Sequence, residues 1–177
     1  MDPGAMTTRA LLNCLIREVA EPERQVVQDG EYAWIRLPRS GRTLRARLRR
    51  PSAGIGPRLT GEAEELRESW RQVGWSELAE LVAAELTLAT GVQNAEFAGQ
   101  VRDSYTAMSV IRQARRVVDE EEPWLARYVE SEQSLAAGHP FHPAPKARSA
   151  DPEQWLSYAP EAGARFPLRF LAVREDA

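Results

Sequence analysis

The sequence between residues 32 and 49 alternates apolar and polar side chains on both sides of a short turn, Ser40-Gly41. Aliphatic residues fill every second position, and arginines fill the alternate positions after the turn (Ala33, Ile35, Leu37; Leu44, Ala46, Leu48; Arg45, Arg47, Arg49). A period of two is that of a strand with one buried face. The pattern predicts an antiparallel hairpin whose second strand carries a basic strip. Such a strip can bind a ligand, although most are solvated faces.

Apolar residues elsewhere recur at helical spacing and predict four helices. The first is capped by Thr7-Thr8, the second runs from Ser76 to a glycine stop at Gly91, the third covers 97–111, and the fourth runs from Pro123 to Gly138. The acidic run 119–122 is interpreted as an electrostatic cap for the fourth helix.

Two further segments complete the expected fold. Residues 51–61 hold two prolines and three glycines and are predicted to form a loop. Alternation of Phe166, Leu168, Phe170 and Ala172 predicts a strand that is buried on at least one side. The order of elements predicts an α+β domain: a helical bundle-like lobe with a small antiparallel sheet.

Composition excludes several classes of protein. The 177 residues carry a formal charge of −3 and no continuous basic face, which argues against a nucleic-acid partner. No apolar run is long enough to span a membrane, and no secretion signal is expected, so a cytoplasmic protein is predicted. Cys14 is the only cysteine; it and Asn13 are predicted to play a buried structural role. Residues 1–5 (MDPGA) resemble a cloning remnant before a natural start at Met6.

Both histidines and the only lysine of the chain lie within one stretch, residues 138–148 (GHPFHPAPKAR). A surface loop is the simplest interpretation, but it leaves this concentration unexplained. A metal site is a second one, because His139 and His142 have a common ligand spacing. The prolines after both histidines favour a polyproline II ribbon, which would separate the two rings by roughly 9 Å. Zinc ligands must converge on one ion, and no third ligand lies nearby in sequence.

Anion binding is the third interpretation. Two imidazoles on one side of a stiff ribbon, followed by Lys146 and Arg148, suit the successive phosphates of a nucleotide triphosphate. Lysine supplies a movable point charge, and arginine supplies a planar fork that pairs with phosphate. Proline lowers the entropy lost on binding.

Several stretches of this chain resemble the NRPS-independent siderophore (NIS) synthetases of the IucA/IucC type. The resemblance lies in Glu132-Gln133, the GHPFHPAPKAR stretch, Tyr158-Ala159-Pro160-Glu161 and Leu171-Ala172-Val173, and in ALLNCLIRE at 10–18. The family pattern is approximately EQ…GHPxHPxxKxRxG…YxPE…LAV. The GHPxHPxxK core makes the resemblance specific.

The resemblance implies an ATP-dependent condensation that uses magnesium. A carboxylic acid such as citrate forms an acyl-adenylate, and an amine, hydroxylamine or alcohol then displaces AMP. It also implies that His139, His142, Lys146 and Arg148 contact the ATP phosphates, with Gly138, Ser149 and Glu161 in support; no catalytic residue is assigned. Glu161 would orient a basic side chain of the loop, although a simple turn at Pro160 explains the same residues.

The implied organisation is an N-terminal lobe over 6–130 and the start of an ATP-binding region over 131–177. Two departures from the family matter: Ala150 replaces a usual glycine, and family members run to several hundred residues. We therefore expect an N-terminal portion that is inactive alone and lacks a C-terminal lobe; a homodimer stays open. The alternatives are a split or degenerate homologue that binds a partner without catalysis, and an unrelated nucleotide-binding domain.

Overall fold

A computed structural model of the chain describes residues 2–49, 59–114, 123–148, 151 and 155–170. The chain divides into two compact units. The first comprises residues 1–109 and 137–149, and the second comprises 110–136 and 150–177. Among the described residues, no helix is both long and apolar enough to cross a membrane.

Helix α1 (Pro3–Leu15) opens the first unit and continues into a π-helical turn, Ile16–Ala20. It begins earlier than the sequence suggested, because the side chain of Asp2 accepts a hydrogen bond from the Ala5 amide and Pro3 suits a first helical turn. The predicted Thr7-Thr8 cap is wrong: both threonines are buried inside the helix. Residues 2–5 thus form the helix start, while their origin as a cloning remnant stays a prediction.

Five antiparallel strands form one sheet in sequential order. The strands are β1 (Val26–Asp29), β2 (Tyr32–Arg36), β3 (Thr43–Leu48), β4 (Leu59–Leu66) and β5 (Trp70–Gln72). The predicted hairpin is confirmed as β2 and β3, with Gly41 at positive φ in the connection and the predicted aliphatic positions from Ala33 to Ala46 in the core.

Strand β4 corrects the loop predicted for residues 51–61. Residues 59–61 belong to the strand, and residues 51–58 lie outside the described part of the chain. The buried positions of β4 are Leu59, Gly61, Ala63 and Glu65. Because a glycine and a glutamate occupy two of them, the apolar alternation that marks a strand is absent from the sequence.

Gly61 allows α1 to lie against β4 at unusually short range. Its φ is +96°, and a Cβ placed on it would lie 2.2 Å from the carbonyl oxygen of Ala5. Any side chain there would collide with the helix backbone. Helix α1 also contacts α2 (Trp75–Thr90), so it is packed between the sheet and a second helix.

Helices α2 and α3 (Phe97–Ala114) lie where the sequence predicted them. Gly91 ends α2 with φ +72°, as predicted. The predicted cap at Ser76 is wrong, since the helix starts one residue earlier with Gly74 at its N-cap. Tyr105 of α3 stacks on Trp75, with ring centroids 4.4 Å apart.

The second unit contains α4 (Trp124–Glu132) and a 3-10 turn, Pro160–Ala162. Helix α4 starts after Pro123 as predicted but ends six residues before Gly138, so Leu135 lies beyond it. The strand predicted from Phe166 is wrong over residues 166–170, which form no strand and are exposed. A strand needs a partner that accepts its hydrogen bonds, and the described residues provide none. Residues 171–173 and the acidic run 119–122 lie outside the described residues.

The core of the first unit is aliphatic, but it encloses two glutamates. Glu85 of α2 accepts hydrogen bonds from the backbone amides of Arg39 (2.7 Å) and Ser40 (2.9 Å) in the β2–β3 connection. A fully buried carboxylate is therefore paired with the turn that it covers. The side chain thus ties α2 to the hairpin.

Glu65 is the second buried acid, and arginines surround it. Arg67 and Arg71 donate to its carboxylate at 2.9 and 2.8 Å, and Arg42 lies 3.3 Å away. Burial acts to raise the pKa of Glu65, but these bonds and charges outweigh burial and hold the pKa below its ordinary value. Arg71 also binds Glu77 of α2 at 2.8 Å.

The α+β class, with a helical lobe and a small antiparallel sheet, is confirmed. The boundaries predicted at 6–130 and 131–177 stay predictions.

Glu65→Gln should destabilise the first unit by about 1–3 kcal/mol at neutral pH, because the variant loses charged hydrogen bonds. The folded pKa of Glu65 lies below its unfolded value of about 4.3. Its contribution is therefore present above that pH and lost as the pH falls through the lowered pKa. Urea unfolding followed by tryptophan fluorescence should show the variant and wild type converging in acid. The control is Glu62→Gln on the exposed face of β4; an equal loss in both variants would contradict the prediction.

Candidate functional site

Two successive turns shape residues 138–148, here called the His loop. The amide of His142 donates to the carbonyl of His139 at 3.2 Å, and the amide of Ala147 donates to the carbonyl of Ala144 at 3.3 Å. Pro140 and Pro145 each occupy the second position of a turn, where the fixed φ of proline is favourable. The local sequence therefore favours two tight turns of the backbone.

These turns correct the polyproline II ribbon predicted for His139 to His142. The first and fourth Cα atoms of a β-turn lie within about 7 Å, so the extended spacing of 9 Å does not apply. The separation predicted for the rings of His139 and His142, which argued against a metal site, is therefore wrong. Among the described residues, no group of three or more His, Cys, Asp or Glu side chains is placed to hold a metal.

Both imidazoles accept hydrogen bonds from the loop backbone. The amide of Phe141 donates to Nδ1 of His139 at 3.3 Å, and the amide of Ala144 donates to Nδ1 of His142 at 3.1 Å. A nitrogen that accepts carries no proton, so a neutral ring must carry its proton on Nε2. Nε2 lies on the other side of the ring from Nδ1. Both exposed histidines thus offer a donor on the side away from their backbone contact.

Side chains of two helices hold the His loop in place. Asn13 of α1 donates from Nδ2 to the carbonyl of Pro140 at 3.0 Å, and the amide of Lys146 donates to Oγ of buried Ser104 in α3 at 3.0 Å. Between these two points, Ala144 is buried and joins the core of the first unit. The loop is therefore fixed to the scaffold by its own backbone and one small side chain.

Gly138 is a third constraint on the loop. Its φ is +65°, and a Cβ there would lie 2.7 Å from Cβ of Pro145 and 3.4 Å from Cε of Lys146. The start of the loop is thus packed against its second turn, and the lysine side chain runs back along it. The supporting role predicted for Gly138 has a steric basis in the loop itself.

An open cleft of about 380 Å³ lies beside the first turn. Its lining residues are Arg17, His139, Phe141, His142 and Pro145. Arg17 comes from the π-helical turn, and its guanidinium carbon lies 5.0 Å from the centre of the Phe141 ring. Arg17 also pairs with its neighbour Glu18 at 2.5 Å.

The predicted phosphate contacts are only partly brought together. His139 and His142 line the cleft, whereas Lys146 and Arg148 are not among its lining residues. Lys146 is half-buried and Arg148 is exposed. Ser149 and Ala150 lie outside the described residues. Glu161 belongs to the second unit, where it is buried within the 3-10 turn; its supporting role stays a prediction.

The basic strip of β3 is largely neutralised by its neighbours. Arg45 binds Glu64 at 2.6 Å and lies over the rings of Tyr32 and Trp70 at 4.4 and 4.2 Å. Arg47 lies 3.3 Å from Glu31. Pairing with neighbouring residues explains Arg45 and Arg47 without a ligand. Arg49 lies beyond the end of β3 and is exposed.

Sequence reasoning missed three residues that build this site: Asn13, Arg17 and Ser104. Asn13 and Arg17 are four apart, a helical spacing that places two polar groups on one face. That pair is a signal that points to a polar contact. Ser104 gives no such signal. Cys14, beside Asn13, is half-buried, and burial raises the pKa of its thiol. The buried position predicted for Asn13 and Cys14 is wrong, since both are half-buried, and a structural role for Cys14 stays a prediction.

The segment that contains the His loop is similar to a known protein family. Residues 127–177, which include the whole His loop, match the IucA / IucC family. The L-2,3-diaminopropanoate–citrate ligase of Staphylococcus aureus is 55% identical over 51 residues, which is 28% of this chain and 9% of the ligase. The rhizobactin siderophore biosynthesis protein RhbC of Rhizobium meliloti is 28% identical over 98% of this chain and 31% of its own length.

A solved structure shares the fold. The ATP-bound aerobactin synthetase IucA of a hypervirulent Klebsiella pneumoniae superposes with a TM-score of 0.72 at 23% identity. The match covers 96% of this chain and 30% of that synthetase. This chain therefore spans less than a third of the length of these relatives. The resemblance to the N-terminal portion of an IucA/IucC-type siderophore synthetase is confirmed.

Gly138→Ala should displace the His loop, because the new Cβ meets Pro145 at 2.7 Å and the residue keeps a positive φ. The amide resonances of Phe141, Ala144 and Lys146 should shift or broaden in ¹H–¹⁵N NMR spectra. Gly91→Ala is the matched control: it has a similar φ of +72° but no atom within 4 Å of the added Cβ. Unchanged loop resonances in Gly138→Ala would contradict the prediction.

Proposed function

We propose that this chain is the N-terminal portion of an ATP-dependent siderophore synthetase and that its His loop supplies part of the ATP phosphate site. One observation carries the proposal. The segment that matches the IucA / IucC family contains a loop that is anchored at both turns and presents two imidazole donors to an open cleft.

The proposed reaction has two steps. A carboxylate oxygen of citrate, or of a related acid, attacks the α-phosphorus of ATP, and pyrophosphate leaves with the electrons of the broken P–O bond. An amine, hydroxylamine or alcohol then attacks the acyl carbon, AMP leaves, and the nucleophile loses a proton. The name of the Staphylococcus aureus relative, a diaminopropanoate–citrate ligase, supports an amine acceptor and citrate for that protein.

The His loop would act on the phosphates. Negative charge develops on the α-phosphate and on the departing pyrophosphate, and fixed donors aimed at that charge lower the barrier. His139 and His142 would donate from Nε2, and Lys146 and Arg148 would supply positive charge. Because the scaffold already fixes the loop, little reorganisation is needed when ATP binds.

Magnesium would accompany ATP, and the described residues supply no set of ligands for it. No cluster of three acidic, His or Cys side chains is present in the described part of the chain. The ion would therefore take oxygen ligands from the nucleotide and from parts of a synthetase that this chain does not contain.

The alternative of a non-catalytic partner-binding module has less support. The curated relatives are a ligase and a siderophore biosynthesis protein, which favours a portion of an enzyme over a module without catalysis. We infer instead that catalysis requires the remaining two thirds of a synthetase.

Lys146→Ala should weaken ATP binding by about tenfold in a synthetase completed with the remaining portion of the Rhizobium meliloti relative, because one charged contact is lost. Calorimetry measures the affinity, and pyrophosphate release with citrate and an amine measures turnover. Arg36→Ala, an exposed arginine of β2, is the charge-matched control. Unchanged affinity would remove Lys146 from the site, and turnover by this chain alone would overturn its dependence on the missing portion.

Exposed apolar side chains of the second unit suggest where that portion binds. On α4, Trp124 is 71% exposed and Tyr128 is 56% exposed, and Phe170 near the end of the described chain is 91% exposed. Trp124 and Tyr128 are four apart and share one face of α4. Exposed apolar surface of this kind is typical of an interface. We propose that the rest of the synthetase covers it.

The chain alone should therefore bind a hydrophobic dye, and the double variant Trp124→Ala/Tyr128→Ala should bind less. Leu88→Ala is the control, since Leu88 is a 60% exposed leucine on α2 of the first unit. Light scattering would separate a self-associated chain, which covers the surface with a second copy, from a monomer. A monomer without dye binding would contradict the prediction.

A further inference from the structure

We propose that Arg17 is a phosphate-binding residue of the His-loop cleft and supplies its positive charge, while His139 and His142 bind as neutral Nε2–H donors. The inference rests on the proposed function and adds a residue from outside the loop. It also assigns Lys146 and Arg148 to positions outside this cleft.

The residues that line the cleft are suited to an anion. Among the described residues that line it, Arg17 is the only permanently charged one, and none is acidic. A phosphate entering between Arg17 and the two imidazoles would therefore meet donors and no carboxylate in the lining. Lys146 and Arg148, by contrast, do not line this space.

The two imidazoles can bind a phosphate as neutral hydrogen-bond donors. Both Nδ1 atoms are occupied as acceptors by the amides of Phe141 and Ala144. Each ring can then donate from Nε2 without a positive charge. Two neutral donors alone would hold a phosphate weakly, so the cleft needs a cation, and Arg17 is the cation that lines it.

The position and exposure of Arg17 allow its guanidinium to bind a phosphate. Its guanidinium lies over Phe141, an aromatic contact that orients the planar group without using its N–H donors. The partner of those donors, Glu18, is 54% exposed and Arg17 is 50% exposed. Such exposed pairs contribute little to stability. Arg17 can therefore exchange this carboxylate for a phosphate, which its planar fork binds through two hydrogen bonds.

The π-helical turn explains why Arg17 is available. Residues 16–20 depart from α-helical geometry, and the amide of Glu21 donates to the carbonyl of Ile16, five residues earlier. Turns of this kind are frequent at functional sites. This one places Arg17 one turn beyond Asn13, so the same helix end both anchors the loop and lines the cleft.

The test is a titration of this chain with sodium tripolyphosphate, followed by NMR of the histidine ring nitrogens and the arginine Nε–H groups. We expect Nε2 of both histidines and Nε of Arg17 to shift together. Arg17→Gln, which keeps a polar side chain but removes the charge and the guanidinium fork, should weaken binding by about tenfold. Arg17→Lys should recover part of the affinity, because a point charge replaces the fork. Arg24→Gln, an exposed arginine just beyond the π-helical turn, is the control.

Each outcome has a distinct meaning. Histidine shifts with unchanged affinity in Arg17→Gln would overturn the role of Arg17 and leave the proposed phosphate role of the loop intact. No histidine shift at any concentration would overturn both. Citrate binding at the same affinity, with the same dependence on Arg17, would overturn phosphate as the ligand. Unchanged Nδ1 resonances in the free variants verify that the loop keeps its shape.

Discussion

The close approach of α1 to β4 is the constraint on which the rest of the first unit depends. A helix backbone lies against a strand at Gly61, where a β-carbon cannot fit. That contact sets the depth of α1 between the sheet and α2, and therefore the position of its last turn. Asn13 on that turn and Arg17 on the π-helical turn that follows it reach a loop more than 120 residues later in the chain. The site is thus positioned by a contact that contains no site residue.

Regular patterns in the sequence were sufficient to predict the hairpin and the middle of each helix. Strand β4 was missed because polar residues take buried positions in it. Arg67 and Arg71 neutralise the buried Glu65 from two and six residues further along the chain, and Arg42 does so from the β2–β3 connection. These arginines are visible in the sequence, but their convergence on one buried carboxylate depends on how the strands pair. The starts of α1 and α2 were also misplaced, because more than one residue near each start was able to cap the helix.

The structure of the His loop likewise depends both on its own sequence and on residues far away in the chain. Its clustered histidines and lysine, and their resemblance to a known motif, pointed from sequence alone to a segment that matches the IucA / IucC family. Its conformation was predicted wrongly, because a proline after each histidine is compatible with both a ribbon and a turn. The choice of turns is reinforced by Asn13 and Ser104, neither of which lies near the loop in sequence. Sequence therefore indicated which residues matter, and tertiary contacts determined which of them face a common space.

The two helix anchors bind only main-chain atoms of the loop, the carbonyl of Pro140 and the amide of Lys146. Shape and chemistry are consequently encoded at different positions. Side chains of the loop can change while its path is retained, so related enzymes can diversify what they recognise without redesigning the scaffold. Conversely, random mutagenesis scored by activity would select against changes at Asn13 and Ser104 as strongly as against changes at ligand contacts, although neither needs to touch a substrate. A map of the positions where substitution lowers activity would then include the residues that hold the loop as well as those that contact a ligand.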